Sequence, residues 1–285
     1  MKGRVVSTVC GVYNVMVNDK TLLCKPRGVF RHKKMKLQVG DFVEVNEEDS
    51  VIEDIYERKN SLFRPNVANI DLGIVVMSLE HPLFSSLLMD KFLTLLNTQH
   101  IEPLIVLTKV DLAKEKDAIK KICEQYNKIG IKVIPYSKRT KEGLELIKEE
   151  IKTKTIAFMG QTGVGKSSLI NLIDENYQRE IGEYSSALGR GKHQTKEVVL
   201  LPYLDGYIAD TPGFSSLELP LIKDDLAKFF PGFVDKFLSC KFTNCLHLKE
   251  KDCAVKKAVE EGIIPQETYE NYVQISDELL FRKER

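Results

Sequence analysis

Gly160-Gln161-Thr162-Gly163-Val164-Gly165-Lys166-Ser167 is the stretch on which the fold turns. It fits the spacing of a phosphate-binding loop. Glycines let the backbone turn its N–H groups inward around phosphates, the lysine reaches the β and γ oxygens, and the serine hydroxyl ligates Mg²⁺. The apolar run Thr155–Met159 predicts a strand leading in, and Ser168-Leu-Ile-Asn-Leu-Ile predicts a helix leading out. That context is the one the chemistry needs, because the helix N-terminus adds its positive end to the site. Some fifty residues on, Asp210-Thr211-Pro212-Gly213 follows the strand candidate Tyr207–Ala209. It has the form of the metal-side element of a GTPase, with Asp210 holding Mg²⁺ through water and the Gly213 N–H meeting the γ-phosphate.

Upstream of the loop lie two elements that select a base. Thr108-Lys109-Val110-Asp111 closes the strand candidate Leu104–Leu107 and resembles an Asn-Lys-x-Asp element with Thr in place of Asn. A carboxylate at Asp111 can accept both N1–H and N2–H of guanine, a pattern adenine does not offer, while Lys109 lays its stem along the base. Tyr136-Ser137-Lys138 follows Val133–Pro135 and resembles a Ser-Ala-Lys element, whose backbone amide meets guanine O6. A conventional GTPase carries the phosphate elements first and the guanine elements after them. Here the order is reversed, which predicts a circular permutation, a rearrangement tolerated when the old termini were close together.

Around these motifs the hydrophobic periodicity is readable. Leu72–Met77, Leu104–Leu107, Val133–Pro135, Ile156–Met159, Val198–Leu201 and Tyr207–Ala209 read as strands. Most alternate with helical stretches, one with Leu88, Phe92 and Leu95 on a face and one with Ile119, Ile122 and Tyr126. Such alternation predicts a largely parallel sheet covered on both sides. In front, Arg4–Val9, Val12–Val17, Thr21–Cys24, Phe42–Val45 and Val51–Ile55 are short β-like runs divided by turn residues, the pattern of a small all-β barrel or sandwich. No acidic residue falls between Asp19 and Asp41, whereas Lys20, Lys25, Arg27, Arg31, Lys33, Lys34 and Lys36 do, with Phe30 and His32 among them. Cations neutralise phosphates and rings stack on bases, so the stretch suits RNA; a solvated loop is the other reading.

Behind the phosphate elements the chain turns helical and charged, and Cys240-x4-Cys245-x-His247-x5-Cys253 offers three thiols and an imidazole at short spacing. In a reducing compartment such a set predicts a closed tetrahedral zinc site, structural because protein fills all four positions. Cys10, Cys24 and Cys123 stand apart and read as packing residues. The 285 residues carry a net charge of +1, which excludes a global polyanion-binding character. No apolar run reaches the length of a membrane span and the first residues do not read as a secretory signal, so a cytoplasmic location is expected.

Taken together these motifs resemble the ribosome small-subunit-dependent GTPase family, the RsgA type. The likeness extends to Val39-Gly40-Asp41-x-Val43, Arg64-Pro65, Gly189-Arg190-Gly191-Lys192-His193, and Cys240-Lys-Phe-x-x-Cys245-x-His247 followed by Cys253-Ala-Val-Lys. It implies an N-terminal OB-fold over 1–60, a permuted GTPase domain over 61–217 and a zinc-binding helical domain over 218–285. It further implies guanine contacts from Thr108, Lys109, Val110, Asp111, Ser137 and Lys138, and phosphate contacts from Gly160 through Ser168 with Asp210 and Gly213. Magnesium would be held by Ser167, Thr195 and Asp210 and zinc by Cys240, Cys245, His247 and Cys253, while the basic stretch, by its charge, offers Lys25, Arg27, Arg31, Lys33 and Lys34 to RNA. Two departures stand out. Gln194, Thr195 and Lys196 replace the family's run of threonines, leaving Thr195 as the switch threonine, and Glu250-Lys251-Asp252 replaces its Glu-Pro-Gly. Phe214 occupies the place of a water-orienting glutamine, so intrinsic hydrolysis is expected to be slow. His193 is then either the group that orients water or a switch residue touching phosphate or RNA. The resemblance implies a GTPase, expected as a monomer, that the small subunit stimulates late in subunit maturation. Alternatives are a permuted GTPase of another RNA or the large subunit, and an RNA-binding module with a vestigial nucleotide site.

Overall fold

The computed structural model describes residues 1–9, 11–28, 30, 36–62, 66–113, 116–174, 198–210, 217, 219 and 221–283. Five strands open the chain: β1 (Lys2–Val9), β2 (Val12–Val17), β3 (Lys20–Pro26), β4 (Phe42–Asn46) and β5 (Val51–Ile55). They close into a barrel in the order β1-β2-β3-β5-β4, with β3 and β5 parallel and the β1–β2, β2–β3, β4–β5 and β1–β4 pairs antiparallel. This is the order of the expected OB-fold. Alternate residues face inward, so Val5, Val15, Val17, Cys24, Val43, Val45 and Ile52 form the barrel core. Phe30 joins that core at 4% exposure. It fills the barrel and does not offer a ring to a base, contrary to the reading of the basic stretch. Lys25 and Arg27 are exposed, whereas Arg31, Lys33 and Lys34 lie outside the described residues.

The Val39-Gly40-Asp41 motif has a tertiary reason. Gly40 has φ of 93°, and a Cβ there would stand 2.1 Å from the Ala68 carbonyl oxygen. The fully buried Asp41 carboxylate accepts from Arg58 Nε at 2.6 Å and Nη2 at 2.8 Å, and from the Gln38 amide at 2.8 Å. A bidentate ion pair of this kind fixes where the chain leaves the barrel. A short hairpin follows, β6 (Ser61–Leu62) with β7 (Val67–Ala68).

From there strands and helices alternate. They are β8 (Leu72–Ser78), α1 (Ser86–Thr98), β9 (Glu102–Thr108), α2 (Lys116–Lys128), β10 (Lys132–Tyr136), α3 (Leu144–Ile151), β11 (Thr155–Met159), α4 (Lys166–Ile173), β12 (Val199–Tyr203) and β13 (Gly206–Asp210). Six of these strands form a sheet in the order β10-β9-β8-β11-β13-β12. The β9–β10 and β11–β13 pairs are parallel, and β12–β13 is an antiparallel hairpin at one edge. The strand that feeds the glycine loop is thus central in the sheet although late in the sequence. The guanine-type elements leave strands on one side of it and the Asp210 element leaves the strand on the other.

Helices α5 (Lys223–Phe229), α6 (Val234–Phe237), α7 (Ala254–Glu260) and α8 (Gln266–Lys283) complete the chain. By its contacts the chain divides into two compact units, one of residues 1–73, 148–158 and 167–213, the other of 74–147, 159–166 and 214–285. In the second, the C-terminal helices share a core with α1: Leu87 and Leu95 pack against the cluster of Leu226, Phe230, Phe233, Tyr272 and Ile275. Helix α1 therefore has two apolar sides. Its deepest face is Met89, Phe92, Leu93 and Leu96, not the predicted Leu88, Phe92 and Leu95, because β9 covers one side and the C-terminal helices the other. Ile122 and Tyr126 are buried as their periodicity predicted, with Ile119 half-buried.

A fully buried carboxyl lies in this helical seam. Asp90 on α1 is fully buried and accepts from Asn271 Nδ2 of α8 at 2.7 Å and the Tyr126 hydroxyl of α2 at 3.1 Å. Burial raises its pKa to about 7, against the pull of those two donors. A carboxyl whose folded pKa lies above its unfolded value contributes stability that is complete near pH 4 and lost as pH rises to about 7. Asp90→Asn should therefore gain on the wild type across that window, by up to a few kcal/mol. Thermal unfolding of both proteins from pH 4 to 8 checks it, and a constant difference would refute it.

Candidate nucleotide and metal sites

In open α/β sheets ligands gather at the carboxyl ends of the strands. β9, β10 and β11 deliver Lys109, Ser137 and Gly160 from those ends, and β13 closes on Asp210. The β9–β10 register pairs Thr108 with Tyr136, so the residues that follow emerge side by side, and Ser137 Oγ donates to Asp111 Oδ1 at 2.8 Å. The Ser137 N–H is spent on the Glu142 carbonyl, which makes the Lys138 amide the next donor of that element.

The glycine loop follows its sequence logic. Gly160, Gly163 and Gly165 have φ of 142°, 84° and 100°, values open to glycine, and a Cβ on Gly160 would lie 2.2 Å from the Val76 carbonyl oxygen. Val164 is buried, while Thr162 and Ser167 are exposed and Gln161 and Ser168 half-buried. Lys166 curls over the loop, donating to the carbonyls of Gly160 at 2.5 Å and Gln161 at 2.8 Å. Its pKa is lowered to about 8 by burial alone. A bound polyphosphate would raise it again, so nucleotide affinity should be constant below pH 8 and fall above it, approaching tenfold per unit. Calorimetric titration with GDP at pH 7, 8 and 9 tests this, and a flat profile would refute it.

Thr108 stands apart from its neighbours. It is buried, and its hydroxyl lies 2.6 Å from the Val164 carbonyl and 3.2 Å from that of Met77. The side chain braces the glycine loop against the end of β9. Lys109, at φ of 58°, donates through Nζ to the carbonyls of Gly163 at 3.0 Å, Glu80 at 3.1 Å and His81. The turn after β8 thereby joins the site through its backbone, which leaves no side-chain signature in a sequence. Val110 is buried beneath the element. His193, Thr195 and Gly213, and the side chain of Asp210, lie outside the described residues.

The second constellation is the cysteine and histidine set, whose four ligand atoms lie within 4.8 Å of one another. Cys240 Sγ is 4.0 Å from Cys253 Sγ and 3.6 Å from His247 Nδ1, and Nδ1 is 3.3 Å from Cys253 Sγ. A tetrahedral ion with metal–sulfur bonds near 2.3 Å separates its sulfurs by about 3.8 Å, so the donors fit one ion. His247 Nε2 lies 3.1 Å from the Ala227 carbonyl, which assigns its proton to Nε2 and turns the Nδ1 lone pair toward the thiols. The ring is fully buried between Phe233, Phe237 and Tyr272, and its pKa is lowered by burial, which keeps it neutral. Glu250 accepts from the amides of Leu246 at 2.7 Å and Leu248 at 2.8 Å, while Tyr269 donates to the His247 carbonyl at 2.8 Å. The loop is thus tied down although Pro and Gly are absent from 251 and 252. Of the lone cysteines, Cys24 is buried and Cys123 half-buried, and Cys10 lies outside the described residues.

A phosphate-binding loop on a central strand, with base-selecting elements that precede it in the chain, defines a circularly permuted P-loop GTPase. A family model described as RsgA GTPase matches residues 55–220, and one described as RsgA N-terminal domain matches residues 2–52. The chain belongs to the RsgA GTPase family. It is 42% identical over 290 residues to a Geobacillus (strain WCH70) protein and 41% identical over 295 residues to a Bacillus subtilis (strain 168) protein. Both are called small ribosomal subunit biogenesis GTPase RsgA, and each match covers 100% of this chain and 99% of the relative. Among solved structures, YjeQ from Thermotoga maritima superposes with a TM-score of 0.83 at 37% identity, covering 98% of each chain. YloQ, described as a circularly permuted GTPase, gives 0.81 at 38% identity over 100% of this chain and 96% of that one.

Proposed function

We propose that this GTPase binds the small ribosomal subunit, hydrolyses GTP late in subunit maturation, and is stimulated by the subunit. The observation that carries the reading is likeness over the whole chain to proteins named for that role, in a chain that has a barrel in front and a cysteine–histidine cluster behind. Among the described residues no helix is long and apolar enough to cross a membrane. The finer division into 1–60, 61–217 and 218–285, a monomeric state and a cytoplasmic location belong to the same proposal.

In this reading Asp111 accepts the two guanine protons while Ser137 fixes its carboxylate plane, and the Lys138 amide meets O6. Lys109 lines the base, and Thr108 serves as the brace that holds the glycine loop to it. Lys166 and the loop amides hold the β and γ phosphates, with Mg²⁺ held by Ser167, Asp210 and Thr195. His193 is the candidate to orient water, since an imidazole titrates near neutral pH and Phe214 has no polar group for the task. The metal of the Cys240, Cys245, His247 and Cys253 set is zinc, chosen by three thiolates and one imidazole, and its role is structural. RNA is met by Lys25, Arg27, Arg31, Lys33 and Lys34, charges that act by releasing counterions from phosphates.

GTP turnover with and without purified small subunits tests the proposal. Stimulation of at least tenfold is expected, and none would refute it. Neutralising the five basic residues together should weaken subunit binding and flatten its salt dependence without altering the GTP affinity of the free protein. Wild-type binding by that variant at every salt concentration would make the loop a solvated surface.

A further inference from the structure

Arg4 is a buried cation with no carboxylate in hydrogen-bonding contact among the described residues. At 8% exposure its guanidinium donates from Nη1 to Thr155 Oγ1 at 2.8 Å and from Nη2 to the Asn69 carbonyl at 3.1 Å, and its Nε has no partner. Its charge is held by rings. The guanidinium carbon lies 4.9 Å from the centre of Phe42 on β4 and 4.7 Å from that of Tyr207 on β13. Desolvation lowers its pKa, with Tyr207 and Asp71 pulling the other way, so burying it is a cost. An apolar residue would fill a strand position between barrel and sheet without that cost, and a buried charge that is retained tends to fix one geometry among several. A guanidinium held over two rings is directional in a way that apolar packing is not.

The place it grips is specific. Thr155 and Tyr207 are paired in the β11–β13 register, so Arg4 hydrogen-bonds one side of a single rung and stacks on the other. The far ends of the same two strands carry the loop glycine Gly160 and Asp210. Asp71 tightens the rung: its carboxylate accepts from the Thr155 amide at 2.9 Å, and its own amide donates to the Thr155 carbonyl at 2.8 Å. The barrel, β13 and the first four residues of β11 fall in one compact unit of the chain.

We infer that Arg4 is a positioning residue that couples the nucleotide state at the far ends of β11 and β13 to the pose of the N-terminal barrel. A shift of either strand along its axis moves Thr155 or Tyr207 against the guanidinium, and the Phe42 ring carries the change into β4. The inference rests on the proposed function only in taking GTP as the ligand; its test needs no ribosomal subunit.

The test is amide hydrogen exchange of the full-length free protein with GDP and with a non-hydrolysable GTP analogue. In the wild type, exchange in β1 and β4 should differ between the two nucleotides by threefold or more. Arg4→Met keeps the volume and should abolish that difference while leaving nucleotide affinity within twofold. Tyr207→Leu should do the same with Arg4 in place, and Tyr207→Phe, which keeps the ring, should preserve the difference. A purely structural arginine would lower the unfolding temperature in Arg4→Met yet leave the nucleotide-dependent difference intact. That result, or a wild-type barrel indifferent to the nucleotide, overturns the inference. If Arg4→Met does not fold, the two Tyr207 variants decide it. Subunit stimulation, measured separately, judges the functional reading.

Discussion

Removal of the metal, by chelation or through Cys245→Ala, is expected to unfold the C-terminal helices while GTP binding persists. Structural zinc contributes on the order of 10 kcal/mol to a small module, comparable with the whole stability of a domain. Cys245 and Cys253 lie inside the apolar cluster of α5 to α8, and without an ion the Cys245 thiol is pushed up to about 12 by its burial. The metal-free protein would then bury neutral thiols around a neutral imidazole, keeping the desolvation and losing four coordinate bonds. The Ala227 carbonyl and the aromatic wall around His247 depend on the position of that ring, and the Tyr269 hydroxyl on the position of the His247 backbone. Loss should spread along α8 to the Asp90–Asn271 contact and stop at the sheet, since the Lys109, Thr108 and Asp111 contacts involve none of these helices. Amide exchange over 221–283, read beside GDP affinity, checks both halves of the expectation. Retained protection in metal-free protein would contradict the first, and a loss of nucleotide binding equal to the loss of helix would contradict the second.

The second large effect is on base selection. Asp111→Asn should weaken GTP binding by about 3–5 kcal/mol, because an amide replaces a carboxylate that accepts two protons and leaves buried donors unpaired. Asparagine can still accept from Ser137 Oγ through its amide oxygen, so the variant isolates the base contact from the local brace. Its NH₂ group can donate to the 2-oxo group of xanthine, so xanthosine triphosphate should bind the variant better than GTP does. Equal binding of ATP and GTP by the wild type would end the guanine assignment. A loss of both guanine and xanthine nucleotides would point to a collapsed element and not to altered recognition.

Much of this chain could be read before any fold was known. The glycine loop, the elements at 108–111 and 136–138 and the cysteine–histidine set are each confined to a short stretch of chain. Each is a local backbone geometry joined to one chemical task, so spacing alone exposes it, and the order of these elements along the chain revealed the permutation. The strands were legible for the same reason, since a period of two survives in sequence whatever the strand packs against. The covered face of α1 was not, because a helix gripped on two sides has no single apolar stripe. Tertiary structure decided the rest. Phe30 went into the barrel core, Thr108 became a brace to Val164, and His247 turned Nδ1 to the thiols through a carbonyl twenty residues away. Arg4 found Thr155 across roughly half the chain's length and Tyr207 across about seven-tenths of it. In each case the partner is a backbone atom or a side chain distant in sequence. Such pairings carry no spacing rule, because they are fixed by which surfaces meet when each compact unit packs.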